Sequence, residues 1–444
     1  MKPAVISKFS KVLTGLIVII ILLVPFQAFI TVWPASNFGH YTVFRLWDEV
    51  ALAIAGILAL GLLWQHPGVW NRLKKLQIVW LIVAYIALEL LTGLIAFARH
   101  NVNAKALGYG LIVNLRFLTF FVVCLVAATC SPWLKKHWRQ LLFIPAIVVI
   151  VFGLLQHFVL PNDFLRHFGY SLQTILPYET INHNVTYIRI MSTLRGANPL
   201  GTYLVIVVAA SLAEFLRQGK RNSRLAYGLL FVGSLVTLFY SYSRSAWIGA
   251  ALAVIIILAV MIKSQKLKLT LAFGLAGLII IVVMLGVVLK NNPHFENILT
   301  HTQQNSAIKT TSDQGHTSAL KAGLKDVLYQ PLGLGPGTAG PASAYNNHPA
   351  RIAENYFVQV AQEVGWLGLI IFLLINWLVA KALWANRTDK LSLILLASLV
   401  GITFINLLSS AWTDDTLSYV WWGLAGTALA QTLLKVKEHE NKAK

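Results

Sequence analysis

Several arginines in this 444-residue sequence stand beside groups able to hold an anion. In Arg195-Gly196-Ala197-Asn198-Pro199, Pro199 suits the first turn of a helix and Asn198 can cap it. Unpaired backbone N–H groups would then converge with a guanidinium, an arrangement that favours a phosphate. The plainer reading is that Arg195 snorkels to lipid headgroups. Arg244 sits between Ser243 and Ser245, small hydroxyl residues that leave its planar fork room to meet a partner. Arg116, with Asn114, lies inside an apolar run. A guanidinium there needs a wet cavity or an ion pair, and Glu89 in the preceding run is the candidate partner.

Proton transfer needs a base, and Asn347-His348-Pro349-Ala350-Arg351-Ile352-Ala353-Glu354-Asn355 supplies two. Glu354 and His348 can each accept a proton if positioned. The same cluster can also serve as ordinary capping of the helix that follows. The run Leu332-Gly333-Leu334-Gly335-Pro336-Gly337 invites comparison with a nucleotide-phosphate loop. It lacks the Gly-Lys-Ser/Thr ending and follows no predicted strand, so it reads as a tight turn allowing close backbone approach. Asp163, Asp313, Asp326, Asp414 and Asp415 are scattered without a paired-carboxylate pattern, and the twelve histidines show no ligand spacing. No metal site is expected. Cys124 and Cys130 lie in or at the end of one apolar run and imply no disulfide framework.

These residues must be positioned by membrane helices. Only 12% of the chain is charged, about half the share of an ordinary soluble domain, and the mean hydropathy is +0.68. That excludes a water-soluble enzyme and a disordered scaffold. Twelve apolar runs approach or exceed the length needed to cross a bilayer. They are 12–32, 46–64, 76–98, 107–130, 140–160, 196–216, 225–241, 246–262, 269–289, 356–384, 391–410 and 417–434. The first is too long for a signal-peptide core and reads as a retained anchor. The narrowest breaks are Ser243–Ser245 and Trp412–Thr416. With the N-terminus in the cytoplasm, every inner segment carries three or four lysines and arginines, as the positive-inside rule requires. The net charge of +20 is therefore first a topology signal. Both termini are expected in the cytoplasm.

The chain divides into 1–289 (nine spans, with an outer loop 161–195), an outer loop 290–355, and 356–444 (three spans and a tail). Both long loops, with Arg195, Arg244, Glu354 and His348, fall on the outer face. In the second, Leu320, Leu324, Val327 and Leu328 recur at helical spacing from about Ala319 to Gln330-Pro331. This amphipathic helix would either lie on the outer leaflet or pack on the bundle. Three arginines and a base suggest a site for a membrane-held phosphate ester.

Three stretches carry a family resemblance. They are Arg195-Gly-Ala-Asn-Pro-Leu-Gly-Thr-Tyr-Leu, Ser243-Arg-Ser-Ala-Trp-Ile-Gly-Ala, and Tyr329-Gln-Pro-Leu-Gly-Leu-Gly-Pro-Gly followed by Glu354-Asn-Tyr-Phe-Val-Gln-Val-Ala-Gln-Glu-Val-Gly-Trp-Leu-Gly. In order and spacing the chain resembles the O-antigen ligase/O-antigen polymerase superfamily of bacterial membrane glycosyltransferases. The resemblance covers about 190–375. It implies an all-α integral membrane fold, a GT-C-like bundle of about 12 helices in the bacterial cytoplasmic (inner) membrane. It implies transfer of a glycan from a polyprenyl (undecaprenyl) diphosphate carrier to an acceptor hydroxyl of a glycan or lipid. No nucleotide, metal or other cofactor is implied, and no nucleic acid. Arg195 and Arg244 match the family's diphosphate-gripping arginines, with Arg116 a third candidate. The family's proposed base is a loop histidine next to Asn. Here Glu354 precedes Asn355, so Glu354 or His348 takes that role, with Asn355 and Asn198 in support. The departure suits a polysaccharide polymerase or another branch of the family. A ligase handing a finished glycan to lipid, protein or wall polymer is the alternative, and a transporter of lipid-linked sugar the alternative of another class.

Overall fold

The computed structural model describes residues 8–181, 184–262, 264–266, 270 and 312–442, with the side chains of 312–314 and 431–442 left aside. The helices are α1 (Lys8–Leu23), α2 (Gln27–Phe38), α3 (Tyr41–Arg45), α4 (Trp47–Gln65), α5 (Pro67–Leu73), α6 (Gln77–Ala98), α7 (Ala104–Cys130), α8 (Trp133–Lys136), α9 (Trp138–Phe158), α10 (Ala197–Arg217), α11 (Arg221–Tyr240), α12 (Arg244–Met261), α13 (Ser312–Tyr329), α14 (Tyr356–Ala385), α15 (Lys390–Asn406) and α16 (Asp415–Lys442). The protein is an all-α integral membrane protein. Nine helical segments among the described residues are long and apolar enough to cross a membrane, α1 and α2 forming one of them. Helices α15 and α16 stand at two further expected spans, 391–410 and 417–434. The expected span 269–289, apart from Thr270, and the loop residues 290–311 lie outside the described residues. Both narrow breaks are present: α11 ends at Tyr240 before α12 starts at Arg244, and α15 ends at Asn406 before α16 starts at Asp415.

Helix α1 passes into α2 through a 3₁₀ turn, Val24–Phe26, that contains Pro25. A proline has no N–H to give, so the Ile21 carbonyl one turn earlier loses its helical donor and the helix breaks. Two threonines bind the turn from outside: Thr416 Oγ1 donates to the Val24 carbonyl at 3.1 Å and Thr193 Oγ1 to that of Pro25 at 2.8 Å. The break thereby ties the first span to the starts of α10 and α16.

The centre is built on α10, whose residues from Leu200 to Glu214 are all buried. Helix α16 runs along α7, where Phe117, Phe120 and Phe121 interlock with Trp412, Tyr419 and Trp422 at ring distances of 5.0–6.3 Å. Helices α12 and α15 cross at Gly249 and Gly401, where a Cβ on Gly401 would strike the Gly249 carbonyl. Small residues let helix backbones approach this closely. The outward faces are apolar, as lipid contact requires: Leu90, Leu91 and Leu94 on α6 and Leu225, Leu229 and Val232 on α11 are exposed.

One end of the bundle gathers the starts of α4, α10 and α16, as their ion pairs show. At the other end, Glu214 of α10 receives Arg139 of α9 and Lys390 of α15, both at 2.9 Å, and Lys135 meets Asp389 at 3.3 Å. The residues expected on one side thus meet one another. Within the loop 161–195 a short antiparallel hairpin forms, β1 (Glu179–Ile181) and β2 (Asn184–Arg189), which the sequence reading did not anticipate.

Helix α13 starts seven residues before the expected Ala319 and ends where expected, ahead of Gln330-Pro331. It packs on the bundle: Val327 and Leu320 meet Ala353, Val358 and Ala361. Its Leu324 and Leu328 face outward.

Candidate functional site

The glycine-rich turn after α13 docks into a break in α14. Gly365 has φ +69°, which interrupts the helical ladder there. The turn supplies the missing partners: Leu334 N–H donates to the Gln362 carbonyl at 2.9 Å, Gly335 N–H to that of Glu363 at 2.7 Å, and Trp366 N–H to Pro331 at 3.0 Å. Gly337 N–H donates to the Glu363 carboxylate at 2.8 Å. Gly333, Gly335 and Gly337 all have positive φ and no room for a Cβ. The close-approach reading of this run is the one the structure shows. Glu363 also accepts Asn114 Nδ2 at 2.8 Å, and the same Nδ2 reaches Glu89 at 3.2 Å. Glu89 is therefore the neighbour of Asn114 and Glu363. It is not the partner of Arg116 that the sequence suggested.

Arg116 turns instead toward the start of α16. Its Nη1 meets Asp415 Oδ1 and Glu49 Oε1, the latter at 3.3 Å, and its Nη2 donates to the Thr413 carbonyl at 2.6 Å. Its side chain is 1% exposed. Arg45, at the end of α3, takes the other oxygen of Asp415 at 2.8 Å and reaches Glu49 at 3.4 Å. Asp48, Glu49 and Asp415 form a carboxylate group within 4.8 Å of one another. Sequence scattering had hidden this cluster. Arg45 and Arg116 donate into it, so guanidinium charge answers carboxylate charge in place.

Arg195 completes this arrangement from the start of α10. Its Nε donates to Asp414 at 3.0 Å and its Nη2 shares the Thr413 carbonyl with Arg116 at 3.4 Å. The side chain is 35% exposed, so one edge of its fork faces outward. Burial works to lower the pKa of Arg195, but Asp414, then Asp415, outweigh it and raise the value above the ordinary one. Burial opposes the charge of Arg45 too, and Asp415, Glu49 and Asp48 again raise its pKa.

The N-terminus of α10 carries a second group. Glu179 of β1 accepts Ala197 N–H at 3.3 Å, so a carboxylate sits where the sequence suggested an anion. Arg189 holds that carboxylate at 3.4 Å and donates to Asn198 Oδ1 at 2.6 Å. Burial lowers the pKa of Arg189; Glu179 opposes this and neighbouring Arg244 adds to it. Arg244 thus stands with Arg189 and Asn198, while Arg195 and Arg116 share Thr413.

Glu354 precedes the N-cap of α14 in a left-handed conformation, φ 54°, which a non-glycine residue adopts only where its surroundings hold it. Its carboxylate meets Nδ1 of His316 on α13. Asn355 caps α14, accepting Val358 N–H at 3.0 Å, and donates to the Leu407 carbonyl at 3.0 Å. That second bond ties Glu354's neighbour to the 407–414 turn that carries Thr413 and Asp414. His348 is exposed and lines a cavity of about 180 Å³ together with Asn101, Thr338, Ser343, Asn346 and Arg351. Arg351 is held by Asp326 at 2.7 Å.

Residues 229–373 match the family model for O-antigen ligase. That match, over about a third of the chain, supports a likeness to the O-antigen ligase/O-antigen polymerase superfamily. No curated protein matches it. The O-antigen ligase match runs from α11 to within α14 and contains Arg244, His348, Glu354 and Asn355. Arg116, Arg195 and Asn198 lie outside it.

Sequence reading missed Arg45, Arg189, Asp414 and Asp415 as parts of this arrangement. Arg45 carried a legible signal, since Asp48 and Glu49 follow at the i+3 and i+4 positions where helical ion pairs form. The adjacent Asp414 and Asp415 at the mouth of the last span carried another. Arg189 had none, because only the hairpin brings it to Asn198.

Proposed function

We propose that this chain moves a glycan from a polyprenyl (undecaprenyl) diphosphate carrier to an acceptor hydroxyl at the outer face of the bacterial cytoplasmic membrane, as a polysaccharide polymerase. The observation that carries the reading is Arg195. It is a cation at the mouth of a buried helix, fixed by Asp414 and the Thr413 carbonyl, with an edge left outward. A diphosphate leaving group gains charge in the transition state, and fixed guanidiniums stabilise that charge without reorganising. Arg195 and Arg45 meet the diphosphate in this reading, and Arg116 holds Asp415 and Thr413 behind them. Arg244, with Arg189, would face the same anion across Asn198.

The acceptor oxygen attacks the anomeric carbon as the bond from that carbon to the diphosphate oxygen breaks. The bonding pair leaves with the lipid diphosphate, and the hydroxyl proton passes to Glu354, which His316 orients. Attack opposite the leaving group inverts the anomeric centre. Asn355 and His348 support this base. The mechanism draws on no metal or other cofactor.

Purified protein incubated with lipid-linked repeat units tests the reading. A ladder of products, lost in Arg195→Ala, is expected. One transfer without a ladder would make the chain a ligase. Flux of lipid-linked sugar without glycosidic bond formation would overturn the proposal.

A further inference from the structure

Near the cavity of His348 stands a group of tyrosines that the charge chemistry does not use. Tyr109 of α7 and Tyr345 of the loop after Gly340 meet edge to face, ring centres 5.1 Å apart. Lys105 lies over the Tyr345 ring at 4.5 Å. Tyr41 opens α3 close enough to Arg45, Tyr345, Arg195 and Tyr109 to feel their charges. Tyr345 is 44% exposed, so a large part of an aromatic side chain is open at a polar surface. The chain then runs directly from Tyr345 into the cavity wall at Asn346.

That wall is built before any ligand arrives. Thr338 Oγ1 is spent on the Gly335 carbonyl at 2.6 Å, Ser343 Oγ on Gly340 at 2.6 Å, and Asn346 Nδ2 on Asn101 at 3.0 Å. Arg351 is matched by Asp326. Among the described residues, two lining side chains remain uncommitted: the carboxamide of Asn101 and the imidazole of His348. Both can donate and accept. The cavity is the size of one monosaccharide and has no unmatched charge.

A flat aromatic face beside fixed neutral donors and acceptors suits a sugar ring. Its C–H face is apolar, and its rim is all hydroxyls. We propose that Tyr41, Tyr109 and Tyr345 with the Asn101–His348 cavity form a glycan subsite, which receives a neutral sugar ring of the carrier-linked substrate while Arg195 and Arg45 hold its diphosphate. This rests on the donor reading given above and adds where its sugar lies. A bare phosphate has no use for the tyrosines, whereas a sugar ring next to the diphosphate would reach them first.

The test compares two probes on purified protein in nanodiscs. One is the lipid-linked oligosaccharide fraction extracted from the producing cells. The other is the same fraction after mild acid has cleaved the sugar from the diphosphate. The wild type should bind the sugar-bearing lipid roughly three- to tenfold more tightly than the stripped one. Tyr345→Ala and Asn101→Ala should each shrink that advantage toward parity and leave the affinity for stripped lipid unchanged. Tyr345→Phe should keep it, because the ring remains. Arg195→Ala should weaken both probes together. Thermal melting in detergent should stay near wild type in the Tyr345 and Asn101 variants, since Tyr345 is half exposed and the Asn101 side chain makes no internal bond.

An equal affinity of wild type for both probes, or variants that retain the full sugar advantage, would overturn the subsite. A wild type that binds neither probe would instead bring down the carrier-lipid reading on which it rests.

Discussion

Gly337 gives its backbone N–H to the carboxylate of Glu363, 2.8 Å away and 1% exposed. One hydrogen bond thus joins the loop that ends at Glu354 to the interior of the bundle. Gly337 has φ +83°, and an added Cβ would strike the Ala106 carbonyl. Gly337→Ala should destabilise the protein by about 2–4 kcal/mol and displace the loop. A lowered melting midpoint in detergent, with new protease cleavage between 330 and 355, is the expected result.

Asp415 meets two guanidiniums, those of Arg116 and Arg45. Removing one member of a buried pair leaves the other charge stranded, at about 3–5 kcal/mol. Asp415→Asn should therefore lower the melting midpoint strongly. Arg116→Met combined with Asp415→Leu should cost less than the two single losses added together, which a double-mutant cycle on melting measures.

Arg195 keeps an outward edge and is held by a carboxylate and a carbonyl. Its replacement should damage the reaction by more than it destabilises the fold. Arg195→Ala should lower glycan transfer by about 100-fold per folded molecule, the scale expected for one fixed donor to developing charge, and should also lower the melting midpoint, because the buried Asp414 carboxylate loses its guanidinium. Arg195→Lys should recover little, because an ammonium cannot reproduce the planar fork. Transfer rates from radiolabelled lipid-linked substrate decide this.

In the proposed mechanism Glu354 takes the acceptor proton and His348 supports it. Glu354→Gln should lower kcat by about 10²–10⁴-fold, and His348→Ala by less than tenfold. The opposite order would assign the proton to His348. Both side chains are open to solvent, so expression and melting serve as controls.

The helices were legible because lipid imposes length and hydropathy on each one. Runs 76–98 and 196–216 coincide with α6 and α10 to within a residue. Backbone polarity in the membrane leaves few alternatives to a helix. The site was legible only in part. Arg195 announces itself by its motif, and Glu354 and His348 by their chemistry. The partner of Arg116 was misread because Glu89 is closer in sequence, while Asp415 lies some 300 residues away and meets it only once α16 runs along α7. Glu179 at the α10 N-terminus depends on a short hairpin in a polar loop, and three- to six-residue strands there leave no hydropathy pattern to follow.

The crossing at Gly249 and Gly401 has a mechanical consequence. With bare backbone against bare backbone, sliding α12 past α15 by even one residue would drive Ala250 or Val400 into a peptide plane. The two helices must travel as one rigid plank. Arg244, the first residue of α12, therefore keeps a fixed height relative to Asn406, the last residue of α15. Any opening that admits a long glycan does not come from shear along this seam.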